Sequence, residues 1–148
     1  VEITGGEPLL QPETPVLVSL LIEKGYQVLL ETNGSFNIHD VDARCVRILD
    51  VKCPGSGEKE ACDLDNLHRM NTGDQVKFVI CHRRDYTYAR RTLARIPQRI
   101  PGRHILFSPA AGRMDPAELS QWILEDGLGV RLQLQLHKIL WPHVDRGV

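Results

Sequence analysis

Apolar residues recur along the chain in short runs that alternate with longer amphipathic stretches. The runs with the continuous apolar or β-branched character of buried strands are residues 1–4, 26–31, 46–52, 75–80, 104–109 and 130–137. Short apolar runs bounded by Gly, Pro or Asn turns predict strands that are covered on both faces. In the last run glutamines alternate with leucines, which predicts a strand with one polar face.

Between these runs the residue pattern changes to a helical period. Helices are predicted over residues 14–25, 63–70, 85–96 and 115–127. Thr14, Asp85 and Asp115 are predicted as N-caps of the first, third and fourth helices, because their side-chain oxygens can accept backbone N–H groups. Gly25 and Gly127 are predicted to end the first and fourth helices. Strands that alternate with helices predict βαβ units, and so a parallel sheet or barrel in one domain over residues 1–148.

Composition narrows the class of protein without identifying it. The 148 residues are 42% hydrophobic and 25% charged, and their formal net charge is −1. These values are ordinary for a globular protein and provide no overall attraction to nucleic acid or anionic membranes. No apolar run approaches the length of a membrane span, and no signal-peptide pattern is present. We therefore expect a cytoplasmic protein without a membrane partner and without direct nucleic-acid contacts.

The four cysteines do not form a recognisable metal or redox motif. Cys45, Cys53, Cys62 and Cys81 are widely separated, and no pair has the two-residue gap of a zinc knuckle or a redox-active pair. We expect all four to be reduced, and some to be buried as small apolar side chains.

Polar and glycine residues concentrate where the predicted strands end. Ligands of parallel α/β folds bind beyond the carboxyl ends of the strands. Gly5 and Gly6 would let the backbone approach a ligand, and Glu7 could accept from an ammonium or hydroxyl group, although TGGEP also suits a plain tight turn. Glu31 ends an apolar strand, where an unpaired charge would be costly.

Three further strands carry charged or amide side chains. Asp50 and Lys52 lie one residue apart on one strand face, as a functional pair or as a structural ion pair. Lys77 lies within QVKFVI, where it either extends to solvent or points into a polar cavity. The predicted strand 130–137 places two glutamines and His137 on one face, which could read a polar heterocycle or belong to a wet edge strand.

The stretch from residue 82 to residue 104 is strongly basic. It contains seven arginines and one acidic residue, Asp85. A basic helix face can contact tRNA, but the spacing of this stretch does not give the aromatic interleaving that nucleic-acid surfaces show. A solvated face or a subunit contact is therefore the favoured interpretation.

Seven segments together resemble one enzyme family. TGGEPLLQ, LLETNGS, LDVKCPGSGE, QVKFVI, FSPAAGRMDP, WILEDG and RLQLQLHK occur in this order over essentially the whole chain. In order and spacing they resemble the 7-carboxy-7-deazaguanine synthases, which belong to the radical S-adenosylmethionine (SAM) superfamily. The resemblance implies a partial (β/α) barrel of the radical SAM type in which the first βα unit is missing from these residues.

The resemblance also implies an activity, cofactors and partners. The family are carbon–nitrogen lyases that contract the ring of 6-carboxy-5,6,7,8-tetrahydropterin, with loss of ammonia, to 7-carboxy-7-deazaguanine. The product enters queuosine and 7-deazapurine biosynthesis, and so tRNA modification. The implied cofactors are SAM, a [4Fe–4S] cluster and Mg²⁺, and the cofactor supplies the difficult chemistry. A homodimer is implied, as is an electron donor such as flavodoxin or ferredoxin.

Binding residues follow from the resemblance by position. Those that would hold the methionyl end of SAM are Gly5, Gly6 and Glu7. Those that would line its ribose and adenine side are Asp50, Val51, Lys52, Ser108, Pro109, Ala110 and Ala111. Thr4, Glu31 and His137 would face the pterin, with two glutamines of the last run as weaker additions. No catalytic residue is assigned.

Departures from the family pattern set a limit on this expectation. The three-cysteine cluster motif, a substrate-gripping Gln-Gly-Glu segment and the hydroxyl ligand of magnesium are not found in these residues. The four cysteines are not grouped to hold a cubane cluster. We therefore expect no metal ligands in this chain, and no turnover by these residues alone. A glycyl-radical activase and a non-catalytic α/β remnant that binds a nucleotide are the alternatives.

Overall fold

A computed structural model describes residues 1–57, 62–141 and 143. The strands are β1 (Glu2–Ile3), β2 (Leu29–Thr32), β3 (Val46–Asp50), β4 (Gln75–Ile80), β5 (Ile105–Pro109) and β6 (Arg131–Leu132). The helices are α1 (Thr14–Glu23), α2 (Asn66–Arg69), α3 (Arg83–Thr92), α4 (Pro116–Glu125) and α5 (Leu136–Leu140). Glu58, the last residue of the CPGSGE segment, lies outside the described residues.

The six strands form one sheet in sequential order, β1-β2-β3-β4-β5-β6. Every neighbouring pair is parallel, and the register places Asp50 opposite Lys77 and Ile80 opposite Pro109. This order confirms the expected α/β fold and is consistent with part of a (β/α) barrel of the radical SAM type. Because all strands run in one direction, their carboxyl ends meet at one edge of the sheet.

Two apolar clusters hold the sheet and its helices together. The larger centres on Phe78, Tyr86 and Phe107, whose rings pack edge to face with centroids 5.5 and 5.9 Å apart. The smaller joins Val18 of α1 to Leu30 of β2. Within the described ranges no helix has the length and apolarity that crossing a membrane requires.

The predicted helix starts are confirmed in one case and wrong in two. Asp115 accepts a 2.9 Å hydrogen bond from the Ala117 N–H at the start of α4. Thr14 is instead the first residue of α1, and its hydroxyl donates to the Pro8 carbonyl at 2.7 Å. Asp85 is also not an N-cap, because it lies inside α3 and its carboxylate accepts N–H groups from two other segments.

The last predicted strand is mostly wrong. Strand β6 covers only Arg131–Leu132, and residues 136–140 form the short helix α5. The ladder with β5 ends after Leu132, and a local hydrogen bond from the Lys138 N–H to the Gln135 carbonyl turns the chain. The glutamines and His137 therefore do not share one strand face. The alternation of glutamine and leucine predicted a strand through residue 137. Beyond the end of the pairing with β5, local turn contacts determine the backbone conformation instead.

Several arginines of the basic stretch contact their own chain. Arg83 stacks on Trp122, with 4.5 Å from the guanidinium carbon to the ring centroid. Arg90 pairs with Asp126 at 2.8 Å. Arg99 donates to the carbonyls of His68 and Met70. These contacts give part of the basic stretch a structural role.

Candidate ligand site at the carboxyl ends of the strands

Two cavities open at the edge where the strands end. The first, the Asp50 pocket, has a volume of about 240 Å³ and is lined by Asp50, Val51, Lys52, Cys53, Ser56, Val79, Cys81, Ala110 and Arg113. The second, the Glu31 cavity, has a volume of about 490 Å³ and is lined by Glu2, Thr4, Glu31, Lys77, Ser108, Gln133, Leu134, Gln135, Leu136 and His137. Both cavities include residues from the predicted strand ends, and their role in binding stays a prediction.

Asp50 ends β3 at the wall of the Asp50 pocket with only one of its oxygens paired. Its Oδ2 accepts a hydrogen bond from Lys52 Nζ at 2.8 Å, so the two residues form an ion pair, as one of the two interpretations predicted. Its Oδ1 is buried and has no hydrogen-bond partner among the described residues. A buried acceptor without a donor is costly, and a ligand hydroxyl in the pocket would satisfy it.

A buried carboxylate fixes the turn that forms one wall of this pocket. Asp85, fully buried, accepts from the Gly55 N–H at 2.7 Å and from the Cys81 N–H at 3.0 Å. Gly55 lies in the turn Pro54–Ser56, and a Cβ at this position would overlap the Asp85 carboxylate. Only glycine lets the backbone come this close to the Asp85 carboxylate. The two hydrogen bonds to Asp85 therefore hold the turn against the start of α3.

The Glu31 cavity contains an ion pair that spans the sheet. Lys77 Nζ of β4 lies 2.6 Å from Glu31 Oε1 of β2, across the intervening strand β3. Both side chains are mostly enclosed, at 18% and 23% exposure. Lys77 therefore points into a polar cavity, as one of its two interpretations predicted. The pair also explains how Glu31 is tolerated at the end of an apolar strand.

The three residues expected to face the pterin lie together. Thr4, Glu31 and His137 all line the Glu31 cavity. They are distant in sequence, because Thr4 follows β1, Glu31 lies in β2 and His137 lies in α5. Ser108, which was expected on the SAM side, also lines this cavity, and its hydroxyl donates to the Gln133 carbonyl at 2.7 Å. Their roles in binding stay predictions.

The TGGEP segment has an open backbone and an occupied side chain. Gly5 and Gly6 have positive φ angles of 97° and 58°, and a Cβ at either position would meet no heavy atom within 4 Å. The Glu7 carboxylate accepts from Thr32 Oγ1 at 2.8 Å and from the Asn33 N–H at 2.7 Å. The side chain thus ties the ends of β1 and β2 together, while the glycine backbone remains open to a ligand.

The FSPAAG segment divides between neighbouring cavities. Ala110 lines the Asp50 pocket, and its N–H donates to the Ile80 carbonyl at 2.8 Å. Pro109 and Ala111 line a smaller adjoining cavity of about 230 Å³. The Ala111 N–H donates to Gln135 Oε1 at 3.3 Å. The segment therefore forms a wall between spaces, and its expected contact with SAM stays a prediction.

The cysteines are free thiols, as expected, and three of them are buried. Burial raises the pKa of Cys45 to about 11 and also raises the pKa of Cys53, Cys62 and Cys81. Thiolates are the form that binds metals, and burial favours the protonated thiol instead. Among residues 1–57, 62–141 and 143, no group of three or more Cys, His, Asp or Glu side chains could hold a metal ion. The donor set does not fit an iron–sulfur cluster.

Single substitutions of the four cysteines by alanine are expected to leave cluster assembly unchanged, because none of them belongs, among the described residues, to a group of three or more side chains that could hold a metal ion. Iron and sulfide would be measured after anaerobic reconstitution of the protein as its gene encodes it. Each variant should match the unsubstituted protein, and circular dichroism would confirm that it is folded. Loss of iron in one folded variant would show that its cysteine is a ligand.

Several residues that line the two cavities were not assigned from the sequence, and two of them, Lys77 and Arg113, are positively charged. The position of Lys77 within the apolar run QVKFVI marked it as unusual, but the direction of its side chain depends on the position of Glu31. Arg113 lines the Asp50 pocket and donates to the Gly55 carbonyl at 3.4 Å, and nothing in its local sequence distinguishes it. The places of Lys77 and Arg113 in the site were recognisable only once the folded chain had brought the strand ends together.

Comparison with curated proteins identifies consistent relatives, whereas no family model matches the chain. A 7-carboxy-7-deazaguanine synthase of Koribacter versatilis is 40% identical over 161 aligned residues, which cover 100% of this chain and 71% of the relative. The Chlorobaculum tepidum enzyme of that name is 41% identical, and the alignment covers 100% of this chain and 68% of that relative. The enzyme of that name from Methanospirillum hungatei is 39% identical over 93% of this chain and 57% of the relative.

Proposed function

Because this chain belongs to the 7-carboxy-7-deazaguanine synthase family, we propose that its strand-end face binds SAM and a pterin substrate. The reaction would be the radical ring contraction of 6-carboxy-5,6,7,8-tetrahydropterin to 7-carboxy-7-deazaguanine, with loss of ammonia. The unpaired, buried Oδ1 of Asp50 at the wall of a pocket is the observation that carries the proposal.

The residues around the Asp50 pocket fit the nucleoside part of SAM. A ribose offers hydroxyl donors, and Asp50 Oδ1 is an acceptor in need of one. Lys52 holds the other oxygen, so the carboxylate stays oriented. Gly5 and Gly6 leave backbone groups open for the methionyl end. When bound, SAM supplies the hydrogen-abstracting chemistry of the superfamily.

The Glu31 cavity fits a bicyclic heterocycle in size and polarity. Its volume of about 490 Å³ lies within the range of small-molecule sites, roughly 300–1,000 Å³. Glu31 can accept N–H groups of a pterin while Lys77 balances its charge at 2.6 Å. The chain's part is to orient the ring and to exclude water from it.

The described residues do not provide ligands for an iron–sulfur cluster. We propose that residues 1–148 alone do not turn over, and that the cluster and Mg²⁺ depend on residues outside this set. A homodimer and a flavodoxin or ferredoxin electron donor belong to the same proposal. The product would serve queuosine or another 7-deazapurine pathway.

Calorimetric titration of the protein as its gene encodes it with SAM, and with 6-carboxypterin as a stable oxidised probe, tests this proposal. Asp50→Asn is expected to weaken SAM binding about tenfold and to leave 6-carboxypterin binding unchanged, because it alters one charged acceptor. Lys77→Met is expected to weaken 6-carboxypterin binding and to leave SAM binding unchanged, because it leaves Glu31 without its partner in the cavity.

Matched substitutions at exposed residues serve as controls for these titrations. Asp40→Asn and Lys24→Met change the same side-chain types on the surface, and both should leave the two affinities unchanged. Binding of SAM without binding of the pterin would favour a nucleotide-binding remnant. Failure to bind either molecule would contradict the proposed function.

A further inference from the structure

We infer that Gln133 is an additional ligand-contacting residue, whose side-chain oxygen accepts an N–H of the heterocycle in the Glu31 cavity. The inference rests on the proposed function, because it names a specificity determinant of that site. Gln133 Oε1 is buried and has no hydrogen-bond partner among the described residues. Buried amide oxygens in proteins are nearly always paired, so an orphan at a cavity wall indicates a missing donor.

The backbone of Gln133 is held firmly in place. Its N–H donates to the Phe107 carbonyl at 3.0 Å, and its carbonyl accepts from the Ser108 hydroxyl at 2.7 Å. The residue thus continues the pairing with β5 just beyond the end of β6. A side chain that starts from two fixed backbone contacts presents its amide at a defined position, as a specificity determinant requires.

The charge balance of the cavity explains why an amide suits this position. Lys77 and Glu31 already neutralise each other at 2.6 Å. A second carboxylate would enter the cavity without a partner, which is costly in a partly enclosed space. A glutamine adds an acceptor and no charge. Glu31 and Gln133 together therefore present acceptors to a neutral ligand that carries several N–H donors.

These acceptors define the ligand class as an aminopyrimidinone ring, which carries ring N–H and exocyclic amino donors. A site with buried acceptors discriminates strongly against ligands that lack the matching donors, because the acceptors are then left unpaired. Gln133 would accordingly select pterin-like rings over rings of the same shape in which oxygen replaces the amino group.

The test substitutes Gln133 with methionine, which has a similar length and no acceptor of comparable strength. In the protein as its gene encodes it, Q133M is expected to weaken 6-carboxypterin binding about tenfold. SAM affinity should not change. The melting temperature without ligand should stay the same or rise, because the variant removes an unpaired buried acceptor. A purely structural role of Gln133 would instead lower the melting temperature.

Gln121→Met is the matched control, since Gln121 lies on the exposed face of α4 and pairs only with Glu125 among the described contacts. A second probe, 6-carboxylumazine, carries oxygen in place of the 2-amino group. The unsubstituted protein should prefer 6-carboxypterin, and Q133M should lose part of that preference. Equal pterin affinity in Q133M and the unsubstituted protein would overturn the inference alone. Absence of pterin binding in the unsubstituted protein would overturn the proposed function as well.

Discussion

Replacing Asp85 with alanine is expected to lower the free energy of unfolding by about 3–5 kcal/mol. The variant would leave the part-buried N–H of Gly55 and the buried N–H of Cys81 without their acceptor. Urea unfolding followed by circular dichroism would measure the loss. Asp65→Ala is the matched control, because Asp65 is exposed and makes no side-chain cap, and its effect should stay within about 0.5 kcal/mol.

The contact between Asp85 and Gly55 can also be tested by substituting Gly55. Gly55→Ala would place a Cβ against the Asp85 carboxylate and displace either the turn or the carboxylate. The double variant should cost less than the sum of the two single variants, because both disrupt one contact. Strictly additive costs would contradict a direct coupling of Gly55 and Asp85. Because the turn lines the Asp50 pocket, the D85A variant should also bind SAM more weakly.

Replacing Arg47 with methionine is expected to cost about 3–5 kcal/mol of unfolding free energy, because it leaves a buried carboxylate uncompensated. Arg47 and Asp74 are 3% and 1% exposed, and they approach to 2.6 Å. Arg47 also donates to the Ile38 carbonyl at 3.3 Å. Urea unfolding would measure the loss.

A surface pair of the same type and distance provides the control. Arg44 and Asp42 also approach to 2.6 Å, but the Arg44 side chain is 60% exposed. Arg44→Met should therefore cost much less than Arg47→Met, because exposed ion pairs contribute little to stability. Equal costs for the two variants would show that burial does not set the difference.

Asp85 and the Arg47–Asp74 pair differ in their distance from the site. Asp85 holds the wall of the Asp50 pocket, whereas Arg47 lies near the start of β3 and Asp74 precedes β4. In parallel α/β folds the amino ends of the strands serve stability, and the carboxyl ends carry the ligand site. Arg47→Met should accordingly reduce stability without changing ligand affinity once the protein is folded.

The sequence by itself determined the order of the six strands and of the first four helices. Strand β4 was predicted at its exact bounds, Gln75–Ile80, and the start of α4 was predicted from Asp115. These features depend on local patterns, namely apolar runs, caps and glycine stops, which short stretches of chain specify without distant partners. Residues of the predicted strand ends line both cavities.

Tertiary structure alone decided which of these residues act together. The pairing of Lys77 with Glu31 joins positions 46 residues apart. Asp85 looked like a helix cap, but it binds a turn 30 residues earlier in the chain. The end of β6 was misread because its length depends on the neighbour with which it pairs. Long-range hydrogen bonds and burial have no local pattern, so only the folded chain shows them.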